Sequence, residues 1–216
     1  MHQPVRDRQH AEYLGDAIVH VIGLVAAVIA VPALLTFTAF QRDDPGALVA
    51  TGIYGATLLA MILCSALYNM SRRSEWQPLL RRLDHAAIYF KIAGTYTAFA
   101  LLAGEGRGLL AVLWTAAIAG TCLRVLAPGR LRALAIGLYL AMGWIAVIAG
   151  WPLMSALPGL VLGLIVTGGL IYTVGVFIYL SPRLPFRKAI WHSFVLTATG
   201  VFYVAVLLQV GQPPEG

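Results

Sequence analysis

Asp16, His20, Asn69, Asp84, Lys91, Lys188 and His192 are the residues of this chain whose types can do chemistry, and all lie inside or at the edge of long apolar runs. An ionisable side chain at membrane depth is costly, so where one persists it faces a bundle interior or a water-filled cavity and marks a site. Asp16 and His20 are spaced i, i+4, as are Lys188 and His192, which puts each pair of polar tips on one helix face about one turn apart. Asp84 and Lys91, at i and i+7, also share a face. Asp16 and Asp84 offer acceptors, Lys91 and Lys188 donors, and His20 and His192 switchable bridges. Such a set suits a lined ligand cavity or a proton pathway.

Blander readings fit the same residues. Asp16 and Asp84 stand where N-terminal caps stand, next to free N–H groups and the positive end of the helix dipole. Lys188 is placed to snorkel into headgroups. His20 and His192 equally fit hydrogen-bonded structural histidines, His85 is turned about 100° from Asp84, and His2 and His10 belong to a polar tail.

The elements that must position these residues follow from composition. Of 216 residues, 60% are hydrophobic and 11% charged, against about 25% charged in a globular domain, and the mean hydropathy is +0.82. The chain reads as an all-α polytopic membrane protein. Apolar runs of about 18 residues or more give seven transmembrane helices: Asp16 to Phe40, Ala47 to Met70, His85 to Gly104, Gly108 to Ala127, Leu131 to Gly150, Leu157 to Leu180 and Ala189 to Val210. Residues 1–15 form an N-terminal tail, 16–210 the membrane domain and 211–216 a short C-terminal tail. Pro45-Gly46, Pro128-Gly129 and Pro158-Gly159 punctuate the connections. The runs are too long for barrel strands and lack alternation. No signal peptide is expected, because the first apolar run continues without a small-residue cleavage site.

Loop charges orient the bundle. Arg6 and Arg8, then Arg72, Arg73, Arg81 and Arg82, then Arg124, Arg130 and Arg132, then Arg183, Arg187 and Lys188 fall on one side, with only Arg42 and Arg107 opposite. The positive-inside rule then puts the N-terminus in the cytoplasm and the C-terminus outside. This places the whole polar set except Lys91 at the cytoplasmic ends of the first, second, third and seventh spans. The net charge of +6 is met by membrane lipid headgroups rather than nucleic acid, which seven spans exclude as a partner. Cys64 and Cys122 are expected as core residues, not as a disulfide or metal ribbon. Small residues such as Gly163 and Gly169 suit close helix packing within one chain or between chains, so the oligomeric state stays open.

The runs Ser65-Ala-Leu-Tyr68-Asn69, Leu83-Asp84-His85-Ala-Ala-Ile-Tyr89, Gly94-Thr95-Tyr96-Thr97, Gly169-Leu-Ile-Tyr172-Thr-Val-Gly175 and Ala189-Ile-Trp191-His192-Ser-Phe together resemble the hemolysin III family of bacterial membrane proteins, relatives of the progestin and adipoQ receptors. The resemblance covers Asp16 to about Leu208. It implies a multi-pass protein of the bacterial cytoplasmic membrane with seven helices and a cytoplasmic N-terminus. The family name implies pore formation or cytolysis, which nothing else in the sequence supports. A role in membrane or lipid homeostasis is the expected function.

The wider superfamily looks like one of intramembrane metal-dependent hydrolases. Its pattern is a Ser and a His on the second span, an Asp beginning the third, and a His-x-x-x-His pair on the seventh. Ser65 and Asp84 match the catalytic positions, and His192 matches one metal ligand, but the other two ligand positions hold Asn69 and Lys188. Phe202 stands where a further histidine is common, and Lys91 where an apolar residue is usual. Asn is a poor zinc ligand and an ammonium offers no lone pair, so no cofactor is expected unless His20 substitutes. In place of a metal, an Asp84–Lys188 ion pair is expected to tie the third span to the seventh, with Asn69 and His192 hydrogen-bonded alongside. The competing functions are a ceramidase-like metal-dependent lipid amide hydrolase and a proton or ion pathway.

Overall fold

The computed structural model describes residues 3–71, 75–126 and 132–213, and among them the chain is helical throughout. The elements are α1 (Gln3–Gln41), α2 (Pro45–Met70), α3 (Gln77–Leu102), α4 (Arg107–Leu126), α5 (Arg132–Ala149), α6 (Trp151–Ala156), α7 (Gly159–Leu180) and α8 (Arg187–Val210). Arg72, Arg73, Pro128, Gly129 and Arg130, used above for topology and punctuation, lie outside the described residues.

Local chemistry sets the ends. Asp44 caps α2 by accepting from the Gly46 N–H at 2.8 Å, with Pro45 at the first turn, where its missing N–H costs nothing. Pro78 and Pro152 occupy the same favoured place in α3 and α6. Between α3 and α4 the chain turns through Gly104 and Gly106, whose φ of 72° and 86° suit glycine. At the far end of α8, Arg42 Nε donates to the Val210 carbonyl at 2.9 Å and its Nη2 to the Gln209 carbonyl at 3.0 Å. A buried guanidinium thus meets the negative end of the α8 dipole. Sequence placed Arg42 as a free loop charge; it is a clasp between the α1–α2 turn and α8.

Two helices begin well upstream of the apolar runs that announced them. α1 is already helical from Gln3 and α3 from Gln77, so Asp16 and Asp84 sit inside helices and are not their caps. Both lie on inward faces, where polar side chains are sheltered.

α3 is the central element, packed on α2 and α4 and touching α5 and α8. Ala93 through Ala100 are all buried. Gly94 lets α2 approach closely, since a Cβ there would collide with the Thr57 hydroxyl, and Gly120 does the same for Tyr89, whose ring would lie 2.7 Å from an added Cβ. Hydroxyl and indole groups tie the helices: Tyr96 to the Gly143 carbonyl at 2.7 Å, Trp114 to Thr97 at 3.0 Å, Trp144 to Thr173 at 3.1 Å and Tyr203 to the Ala30 carbonyl at 2.9 Å. Each bond satisfies a polar group that lipid would leave unpaired.

The outer surface is apolar. Ile18, Val21, Ile22, Val25, Val28 and Ile29 are exposed along α1, a surface suited to lipid rather than water. Among the described residues, five helices are long and apolar enough to cross a membrane: Arg6–Gln41, Pro45–Met70, Arg107–Val125, Gly159–Leu180 and Arg187–Val210. Ala133–Ala149 is apolar but shorter, and the central α3 carries Arg81, Arg82, Asp84 and Lys91 on a helix shielded by its neighbours. Cys64 is half-buried and packs against the core, while Cys122 is exposed on α4, which corrects its expected place there: an apolar run in a lipid-facing helix buries only one of its faces.

Candidate functional site

α1, α2, α3 and α8 bring their polar residues together at one end of the bundle. Asp16 and His20 are 6% and 5% exposed, on the α1 face that meets α2 and α8. The His192 Nδ1–H donates to Asp16 Oδ1 at 2.5 Å, and the His20 Nδ1–H donates one turn back to the Asp16 backbone carbonyl at 2.8 Å. The two imidazoles meet edge to face with centroids 4.3 Å apart.

These bonds assign the tautomers. A carbonyl and a carboxylate oxygen can only accept, so each Nδ1 carries its proton and each neutral ring leaves Nε2 as its lone-pair nitrogen. His20 Nε2 lies 3.2 Å from Ser65 Oγ, which also takes a long contact from Asn69 Nδ2 at 3.4 Å, and Asp84 lines the same cavity. Asn69 donates further to the Ser65 carbonyl at 3.0 Å.

Below this cluster opens a cavity of about 400 Å³, in the range that holds a small organic ligand. Met61, Ile62, Ile92, Leu140, Trp144 and Val195 supply apolar wall, while His20, Ser65, Asn69, Asp84 and His192 line its polar end. Arg81, Arg82, Arg124 and Lys188 also line it. Lys91, 3% exposed, reaches the cavity farther along α3, with its Nζ 4.6 Å from the Phe202 ring centroid and 5.2 Å from that of Tyr172.

The residues singled out in the sequence therefore divide. Asp16, His20, Ser65, Asn69 and His192 form one connected network, and Asp84 lines the cavity with it. Lys188 lines the same cavity but is exposed in the first turn of α8. The expected Asp84–Lys188 ion pair is not formed: among the described residues the ion pairs are Arg8–Glu12, Asp16–His20 at 3.8 Å and Asp16–His192. The tie to α8 runs through Asp16 instead, because α1 packs against α8 and presents its carboxylate directly to His192. Sequence reasoning missed Arg124, whose Nη2 donates to the Tyr139 hydroxyl at 3.0 Å inside the cavity wall. It also missed the Tyr172–Thr199 pair at 2.8 Å. Arg124 lies inside the apolar run of the fourth span, and that position was the available signal.

A sequence profile of the family described as Haemolysin-III related matches residues 9–203. The chain belongs to that family. Among its relatives, the haemolysin-III related protein "Hemolysin-3" of Bacillus cereus is 36% identical over 204 residues, covering 92% of each chain. "Hemolysin-3 homolog" of Bacillus subtilis (strain 168) is 35% identical over 206 residues, 94% of this chain and 96% of the relative. "Monocyte to macrophage differentiation factor" of Homo sapiens is 29% identical over 199 residues, 87% of this chain and 82% of the relative. This haemolysin-III related chain is a membrane protein with several apolar helices.

The metal that the superfamily pattern implies meets an altered donor set in this haemolysin-III related chain. Asn69 and Lys188 offer nothing to zinc, yet Asp16, His20 and His192 present ligand atoms within 4.8 Å of one another. Each ring has its Nδ1 anchored on oxygen, which is the outer-shell arrangement of metal-binding histidines. By this proximity Asp16, His20 and His192 fit a metal ion, each able to offer one ligand atom. A zinc ion so held would supply Lewis-acid activation of a bound carbonyl or water.

Proposed function

We propose that this haemolysin-III related chain is a multi-pass protein of the bacterial cytoplasmic membrane, with seven spans, N-terminus inside and C-terminus outside, acting in membrane lipid homeostasis through its cavity. The observation that carries the reading is the cavity itself, about 400 Å³ with an apolar wall and a hydrogen-bonded polar network at one end. That combination suits an amphiphile whose chain is sheltered from water and whose head is oriented by fixed polar groups. Native mass spectrometry of the purified chain tests it: lipid is expected on the wild type and absent from a folded Ile92→Trp variant, whose indole fills the cavity. Equal lipid on both sinks the reading. Topology is tested separately by a membrane-impermeant thiol reagent on a cysteine-free background: Gln212→Cys is labelled from outside and Arg8→Cys is not.

A second reading, a metal-dependent hydrolase of lipid amides, is favoured by the close grouping of Asp16, His20 and His192. In it Ser65 and Asp84 would orient the scissile group and move protons, while Asp16 fixes His192. Metal analysis separates the readings: about one tightly bound zinc per chain, lost together in His20→Asn and His192→Asn, selects the hydrolase.

A further inference from the structure

We propose that Lys91 is an anion subsite within the cavity, receiving a compact anionic group, such as a carboxylate, carried on an apolar chain. The inference rests on the lipid-cavity reading above and specifies the ligand's charge and where that charge sits. Lys91 is buried and lines the cavity, and its ammonium makes no hydrogen bond or ion pair with the described residues. The neighbours of its ammonium are the faces of Phe202 and Tyr172. Aromatic faces attract a cation but leave its N–H donors without acceptors. Phe202 is itself held in place by α7, where Gly168 has no Cβ and the ring fills that space, 2.6 Å from where a Cβ would lie.

No protein group supplies the missing counter-charge. Asp84 is seven residues, about 10 Å, back along the helix axis, and forms no ion pair with Lys91. It is the one carboxylate among the described cavity-lining residues, whereas Arg81, Arg82, Arg124 and Lys188 line the same space. A cavity walled by cations at low dielectric draws anions inward. A buried ammonium that desolvation disfavours gains most from an anion able to take its hydrogen bonds. The apolar wall, from Met61 to Val195, accounts for the chain that accompanies the anion.

The test is equilibrium binding of oleate, methyl oleate and acetate to the purified full-length chain in a nonionic detergent, read by quenching of tryptophan fluorescence. Wild type and Lys91→Arg are expected to bind oleate at least tenfold more tightly than methyl oleate, and Lys91→Met to bind both alike. The wild-type ratio needs no variant, so a misfolded Lys91→Met does not rescue the proposal. Equal affinity for acid and ester on wild type overturns the anion subsite and leaves the lipid cavity standing. Binding of neither overturns both. Acetate displacing oleate at matched concentration overturns the requirement for an apolar chain.

Discussion

His192 on α8 donates from Nδ1 to the Asp16 carboxylate on α1 at 2.5 Å, joining the two helices by a charge-assisted bond inside the bundle. Bonds of this kind contribute more than neutral ones, and removing one partner leaves the other unsatisfied. Asp16→Ala is expected to destabilise the protein by about 2–3 kcal/mol. Asp16→Asn, which can still accept from His192, should cost less. Thermal unfolding of both variants in detergent checks the order; equal melting would show that the bond adds nothing.

Lys91 predicts the opposite sign. Replacing an unpaired buried ammonium with an isosteric apolar chain removes a desolvated charge at the loss of two ring contacts. Lys91→Met, stripped of ligand, should melt above wild type, by about 1 kcal/mol in stability. A lower melting temperature would mean that the rings compensate the charge fully.

Arg42 bonds two carbonyls at the end of α8 from a buried position. Arg42→Leu orphans both and is expected to cost about 2 kcal/mol. Arg42→Lys should recover only part, because one ammonium lacks the planar fork that spans two acceptors. Hydrogen exchange at residues 207–210 would report the local loosening.

Gly94→Ala pushes a methyl group into Thr57 and should separate α2 from α3, with about 2 kcal/mol lost. Gly52→Ala, whose added Cβ meets nothing within 4 Å, is expected to be neutral or slightly stabilising. Unfolding midpoints that fail to separate these two glycines would show that α2 and α3 do not depend on that close approach.

What the sequence made legible was depth, and what it hid was direction. Apolar run lengths and the i, i+4 spacings brought Asp16, His20, Asn69, Asp84 and His192 to one level of a helical bundle, and there they meet. Periodicity cannot say which helix neighbours which, so the tie to α8 is expected from Asp84 on α3, whereas Asp16 on α1 supplies it. Apolar runs also mark where lipid contact begins rather than where helices begin, which made Asp16 and Asp84 look like caps. Lys91 was visible as an anomaly, but its aromatic neighbours come from α7 and α8, roughly eighty and more than a hundred residues away, beyond any local pattern.

Asp16 serves both imidazoles, one through its side chain and one through its backbone. The two rings are therefore not independently adjustable. A one-residue rotation of α1, about 100°, would turn the Asp16 carboxylate away from His192 and carry His20 off Ser65 in the same movement. The angular setting of α1 thus acts like a key in a lock: the Asp16–His192 and His20–Ser65 contacts hold together or fail together, and a turn of α1 is felt at the polar network as a single event.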